Sequence, residues 1–255
     1  MQKTTLILGA SGCVGTALRA VWPTHRPALW QSRRPPVRPD DIHWDVLQTP
    51  PPDLPPLRGV VVLAGTAQAG DLDVNLRIAR AVVGLNAPVL LASTQAVYGT
   101  PRDAVSETCT PNPQSDYGRA KLQMEQAVHG HPNVCCLRLA NVVGCDTLGR
   151  IIAGLGAGDS LALDQFQDGQ GPQRMVIRPA VLAMVLGRLL DQPDRLPKVL
   201  NVAEPNMVRV QDVLTDQGTP WHWRQAPEGA LAKLEMDVTA LRDLVPELTG
   251  WDFKT

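Results

Sequence analysis

Short apolar runs alternate with helix-like patterns through the first 140 or so residues, and few folds accommodate that alternation. Thr4–Leu8, Ala28–Gln31, Val60–Ala64, Val89–Ala92 and Val134–Leu139 read as strands. Between them, Gly12–Val21, Leu72–Val83 and Tyr117–Val128 carry apolar residues at helical spacing; in the first, Val14, Ala17, Leu18 and Val21 share a face. Strands that are apolar on both faces and alternate with helices predict an α/β fold, a doubly wound parallel sheet covered on both sides. In that class ligands bind beyond the carboxyl ends of the strands. The spacing assigns residues 1–144 to this core. Residues 145–178 and 203–255, with their Gly, Pro and Trp clusters, read as a small C-terminal substrate lobe, and 179–202 as a return to the core.

Length and charge exclude several classes of function. A chain of 255 residues buries enough surface to need no staples. Its formal charge of −1 offers no basic surface for nucleic acid, so no nucleic-acid partner is expected. No apolar stretch approaches the roughly 18 residues of a membrane span. Met1-Gln2-Lys3-Thr4-Thr5 runs straight into Leu6-Ile7-Leu8 without signal-peptide anatomy, so a soluble cytoplasmic protein is expected. The five cysteines, at positions 13, 109, 135, 136 and 145, form no CxxC pair and no ligand spacing with histidine. Neither a metal site nor a disulfide framework is expected, and the odd count suits a reducing compartment. Cys135 and Cys136 read as small strand residues. Eight prolines between Pro35 and Pro56 surround Ile42-His43-Trp44-Asp45, which reads as a rigid surface connection around a short extra strand.

The first strand runs into Gly9-Ala10-Ser11-Gly12-Cys13-Val14-Gly15, with glycines three residues apart and a helix following. In a Rossmann-type sheet Gly9 allows the tight turn, Gly12 lets backbone approach a diphosphate, and Gly15 lets the helix pack closely. Helix-start N–H groups then face the phosphates. Ser11, Cys13 and Val14 complete this dinucleotide site. At the end of the second strand stands Ser32-Arg33-Arg34 in place of a carboxylate. A guanidinium pairs with a ribose 2′-phosphate where a carboxylate would take the 2′-hydroxyl, so NADP is expected over NAD, with Arg33 the better candidate. Asp45 and Val46 are placed near the adenine, and Leu63-Ala64-Gly65 beneath the adenosine.

Tyr117-Gly118-Arg119-Ala120-Lys121 sets a phenol and an ammonium one helical turn apart. A nearby cation lowers a tyrosine that otherwise titrates near 10. Such a tyrosine takes a proton from an alcohol as hydride leaves, or donates one in reverse. Upstream, the strand Leu90-Leu91-Ala92-Ser93-Thr94 ends in hydroxyls, which can share charge developing on a reacting oxygen.

At this point the residues resemble the extended short-chain dehydrogenases/reductases, the NAD-dependent epimerase/dehydratase family. Gly9–Gly15 is similar to its GxxGxxG element, Val61–Gly65 to VxHLA, and Ser93–Gly99 to SSxxVYG. Tyr117 to Lys121 is similar to its YxxxK, with Asn75 and Glu125 at matching positions. Arg138–Gly144 resembles RxxNVYGP, Gln173–Ile177 resembles RDFIHVDD, and Asn201–Ala203 the late YNVG. The resemblance implies Tyr117 as acid/base, Thr94 as the catalytic hydroxyl, and Lys121 as the group that binds the nicotinamide ribose and tunes Tyr117. It implies that Ala140 and Val142 line the nicotinamide pocket. Gln95, Asn141 and Arg174 become the substrate-contact candidates, Arg174 toward a nucleotide-sugar diphosphate. It also implies a homodimer formed through two helices per subunit.

Departures narrow the expectation. Gln95 and Ala96 stand where dehydratases carry acidic residues, which argues against dehydration. Arg178-Pro179-Ala180 replaces the histidine and acids of HVDD, and the chain is short for a nucleotide-sugar epimerase. The expected activity is NADP(H)-dependent hydride transfer at a secondary alcohol or ketone of a small, sugar-derived molecule, as reductase or as epimerase. A non-catalytic dinucleotide sensor is the alternative. Trp221-His222-Trp223 reads as lobe packing, with a substrate platform as the other reading.

Overall fold

The structure, a computed structural model, describes residues 3–68, 70–156 and 158–250. Expectations that extend to residues 1–2 and 251–255 lie outside the described residues. In chain order the elements are β1 (Thr4–Leu8), α1 (Cys13–Val21), β2 (Ala28–Ser32), β3 (Asp41–His43), β4 (Leu57–Val62), α2 (Asp73–Val82) and β5 (Val89–Thr94). There follow α3 (Asp116–Val128), β6 (Val134–Leu139), β7 (Asn141–Val142), α4 (Thr147–Ala153), β8 (Leu161–Gln165) and β9 (Gln173–Ile177). The chain closes with α5 (Pro179–Asp191), β10 (Val199–Val202), β11 (Met207–Arg209), α6 (Val210–Asp216), β12 (Trp221–Gln225), β13 (Lys233–Leu234) and α7 (Thr239–Leu244).

Seven strands form one sheet in the order β10-β6-β5-β4-β1-β2-β3, and every neighbouring pair is parallel. This is the doubly wound, Rossmann-type architecture that the alternation predicts. From β1 the chain winds outward to β2 on one side and back to β4 on the other, so a crevice opens where the carboxyl ends of β1 and β4 diverge. Both faces of the sheet are covered. Ile7, Val61, Leu90 and Leu137 pack in one apolar layer with Leu182, Val185 and Leu186 of α5. Leu6, Val60, Leu91 and Cys136 pack in the other with Ile78 and Val82 of α2 and Met124 and Val128 of α3.

The strand ends shift where pairing, rather than hydrophobicity, decides them. β4 spans Leu57–Val62, because Leu63 has left the ladder although its N–H still reaches Leu8 O. β5 continues to Thr94 because that residue remains in register with Leu139. The extra strand, β3, extends the sheet beyond β2. Buried Trp44 follows it, its indole N–H bonded to Thr49 O, and fixes the proline-rich connection.

Two smaller sheets sit at the carboxyl edge, one built around β9 with β7, β11 and β13, the other from β8 and β12. α5 and β10 belong to the main sheet's layers. Val238, Leu241, Leu244, Val245 and Leu248 are buried in the same apolar cluster as Leu200 and Val202 of β10. α7 thus packs back against β10. Trp221 packs in the small lobe core, whereas Trp223 is partly exposed and lines an open cavity of about 910 Å³ with Phe166 and Arg224. No helix among the described residues is long and apolar enough to cross a membrane.

Candidate active site

The glycine turn is built to leave backbone uncovered. Gly9 has φ +90°, and a side chain there would collide with the backbone of Ala64 at the end of β4. A Cβ on Gly15 would lie 2.3 Å from Gly9 O, so α1 packs on the turn only with glycine at that place. Gly12 is different: its added Cβ would approach nothing closer than 3.3 Å. A side chain there needs the Gly9 carbonyl to give way by only a few tenths of an ångström. Gly12 is also the N-cap of α1 and supplies no capping side chain, so the first N–H groups of the helix are left for an anion. A diphosphate fits this site. Ser11 and Cys13 line it, whereas Val14, expected there, packs against the apolar layer; Leu63, Ala64 and Gly65 leave β4 directly alongside.

Gln31, which the sequence did not single out, ties this turn to the neighbouring strand. Its side-chain carbonyl accepts from Gly9 N at 2.9 Å and its amide donates to Trp44 O. Next to it, Ser32 Oγ accepts from Arg34 N at 3.1 Å, turning the chain so that Arg33 and Arg34 are both exposed. Asp45 accepts from Leu47 N and its carbonyl from Gln48 and Thr49, a local turn role that uses the carboxylate expected at the adenine. Val46 packs against the apolar layer under β3.

Thr94 ends β5, and its hydroxyl caps the following turn by accepting from Ala96 N. Tyr117 sits in the first turn of α3, whose N-cap Ser115 accepts from Gly118 N. The structure brings these two side chains near one another, close enough for the Thr94 hydroxyl to favour the ionised phenol. Burial raises the phenol above its ordinary range, while the Thr94 hydroxyl and the positive charge of Arg150 pull it down. The expected tuning by Lys121 takes a different form. Lys121 is buried and donates to Ala92 O at 2.8 Å, while the positive charge that lowers the phenol is that of Arg150 of α4. No motif announced Arg150, because only the folding of the lobe brings α4 to the phenol.

Burial lowers Lys121 to about 8, with Cys136 and Glu125 opposing the shift. The unfolded chain holds this proton to about 10.5, so between about 8 and 10.5 it binds more protons than the folded one. Stability is therefore expected to rise with pH across that window, by about 3 kcal/mol at its full extent. Denaturant titrations at several pH values check this; Lys121→Met should flatten the rise, and an unchanged slope in that variant would assign it elsewhere.

Beside Thr94, Gln95 is buried and its amide donates to Asn141 Oδ1 at 2.8 Å, while its own carbonyl oxygen is buried without a partner. Ala140 and Val142 are buried on either side of Asn141, where β7 begins to pair with β9. Arg174, on β9, is committed elsewhere: its guanidinium donates to the carbonyls of Gln173, Leu231 and Ala232. Arg178 bonds the buried carboxylate of Glu204, a pair without counterpart in the sequence reading. Among the described residues no group of three His, Cys, Asp or Glu side chains could hold a metal ion.

The cysteines require a correction. Cys13 and Cys145 form a disulfide with their Cα atoms 5.5 Å apart, although no disulfide was expected. The two lie 132 residues apart in sequence and meet only because the β1–α1 turn and the loop after β7 share the carboxyl edge. Cys135 and Cys136 are buried strand residues with thiols raised by burial, Cys136 to about 12.

Residues 65–155 match the model of the NAD dependent epimerase/dehydratase family. No curated protein sequence matches the chain. Among solved structures, MoeE5 in complex with UDP-glucuronic acid and NAD is 20% identical, with 95% of this chain and 92% of that chain covered and a TM-score of 0.75. The NAD-dependent NDP-hexosamine 5,6-dehydratase TunA is 21% identical over 99% and 92%, TM-score 0.75. UDP-glucuronic acid 4-epimerase from Bacillus cereus, a tyrosine-to-phenylalanine mutant in complex with a fluorinated UDP-sugar and NAD, is 17% identical over 99% and 95%, TM-score 0.76.

Proposed function

We propose that the chain is a member of the NAD-dependent epimerase/dehydratase family, whose model matches residues 65–155, and that it catalyses hydride transfer at a secondary alcohol or ketone carbon of a small, sugar-derived molecule. The observation that carries this reading is Thr94 at the end of β5 near Tyr117, with buried Lys121 one turn further along α3, next to an open glycine turn. A nicotinamide dinucleotide bound there supplies the hydride donor or acceptor. Gly9, Ser11, Gly12, Cys13, Val14 and Gly15 hold its diphosphate, Lys121 its nicotinamide ribose, and Ala140 and Val142 the wall behind the ring. Tyr117 moves the proton of the reacting oxygen, and Thr94 stabilises charge on that oxygen. Gln95 and Asn141 face the substrate as one hydrogen-bonded unit. Arg174 contacts an anionic substrate group only after leaving its carbonyl partners.

NADP is the cofactor favoured by Ser32-Arg33-Arg34, since two exposed guanidiniums stand where a carboxylate would select NAD. Arg33→Ala is expected to weaken NADP binding about 10–100-fold, the worth of a lost charge-assisted contact, and leave NAD unchanged. Fluorescence titration checks this; equal affinity of the wild type for both dinucleotides would remove the arginine from cofactor choice. Screening ketones and sugar derivatives with NADPH tests the activity itself. Net loss of NADPH absorbance identifies a reductase, and isomerised product without loss identifies an epimerase; neither with any sugar ketone would favour a sensor. The exposed faces of α2 and α3 carry Arg77, Arg80, Arg119, Gln123 and Gln126, so a homodimer built through them has a polar interface, measurable by light scattering.

A further inference from the structure

The disulfide occupies a place that the proposed hydride chemistry does not explain. Cys13 is the first residue of α1, exposed, and part of the turn that faces the diphosphate. Cys145 follows Gly144 in the loop between β7 and α4, at the position where the quoted NVYGP pattern ends in proline. Ser11, Gly12, Thr16, Val143 and Gly144 surround the bond and line a cavity of about 390 Å³. One lip of the cleft is thus the glycine turn. The other carries Val142 on one side and leads on the other into α4, whose Arg150 charge reaches Tyr117. The bond joins those two lips. A Cα separation of 5.5 Å lies in the middle of the normal range for a disulfide, so neither backbone needs to move for the bond to form.

We propose that Cys13 and Cys145 form a reversible thiol–disulfide site for low-molecular-weight thiols such as glutathione, and that the closed bond latches the dinucleotide cleft. The proposal rests on the dinucleotide reading above. In the opening reaction a thiolate of the small thiol attacks the exposed Cys13 sulfur. A mixed disulfide forms at Cys13 and Cys145 leaves as a thiolate. A second small thiolate then attacks the small-molecule sulfur, releasing Cys13 as a thiolate and the oxidised small disulfide. One protein disulfide and two thiols become two protein thiols and one small disulfide, so electrons balance. The start of α1 stabilises the departing Cys13 thiolate. Cys135 and Cys136 are shut out of this exchange by burial.

The latch has a consequence for catalysis. An enzyme that returns hydride to its own substrate keeps its dinucleotide and works with the lips joined. A net reductase must exchange dinucleotide at every turnover and is slowed by the same bond. Oxidation would thus suppress net redox turnover while sparing a cofactor-recycling reaction.

The test uses the full chain equilibrated in buffers of defined reduced-to-oxidised glutathione ratio. Thiols are counted by mass tagging after denaturation, and release of bound NADPH is followed by fluorescence during a chase with excess NADP. The expected result is three free thiols and slow release in the oxidised chain, five thiols and release at least about tenfold faster in the reduced chain. Cys145→Ser should release rapidly under both conditions. Five thiols in the oxidised chain, equal release rates, or a Cys145→Ser variant that still responds to glutathione would each overturn the latch while leaving the dinucleotide reading intact. Failure of every form to bind NADPH or NADH would overturn both.

Discussion

Replacing Tyr117 with phenylalanine is expected to lower turnover about 10²–10⁴-fold, the range that positioned proton transfer supplies, while dinucleotide affinity stays unchanged. The substitution removes one oxygen from a half-buried ring. The ring keeps its place in the first turn of α3, and Thr94 keeps its bond from Ala96 N, so neither the helix nor the end of β5 loses its anchor. What disappears is the phenol oxygen, the group proposed to exchange a proton with the reacting oxygen. Parallel measurement of kcat and of NADPH affinity by fluorescence separates chemistry from binding. A variant with undiminished kcat would remove Tyr117 from the mechanism; one that failed to bind dinucleotide would make the tyrosine a structural group instead.

Glu125→Gln is expected to destabilise the fold by about 3–5 kcal/mol, because it leaves the Arg138 guanidinium buried without its counter-charge. Both side chains are only 5% exposed and are joined through Arg138 Nη2 to Glu125 Oε2 at 2.8 Å. Ser93 also donates to Glu125. On its other side Arg138 lies over the Tyr98 ring and donates to its hydroxyl, which in turn donates to Asn201. The network therefore links β5, α3, β6 and β10 beneath the site. Burial of the pair costs desolvation that its mutual attraction offsets, so removing both charges is milder than removing one. Glu125→Leu with Arg138→Met should recover most of the loss. Urea titration reads both outcomes, and a single-variant change below about 1 kcal/mol would mean that water reaches the guanidinium after all.

The sheet was legible because its signal is local. β1 and β6 can be bounded from apolar runs alone, and the glycine turn announces itself by three residues at fixed spacing. The same holds for Tyr117 and Lys121, which one helix carries one turn apart. Relationships between loops were not legible. Cys13 and Cys145 are far apart along the chain, and an odd cysteine count pointed away from their bond. Arg150 matters only because α4 folds toward Tyr117, and Arg174 is bound by carbonyls of a segment that no pattern connects to β9. Asp45 shows the converse: a carboxylate at a promising position also serves its own turn.

The central claim, that Thr94, Tyr117 and Lys121 form one catalytic group around a nicotinamide, is tested most directly by a crystal structure of the chain with bound NADP. The account predicts the diphosphate on the N–H groups at the start of α1, the nicotinamide ribose on Lys121, and the ring beside the Tyr117 hydroxyl. A dinucleotide whose nicotinamide lies away from Tyr117, with Lys121 still held by Ala92 O and making no contact with the ribose, would contradict it.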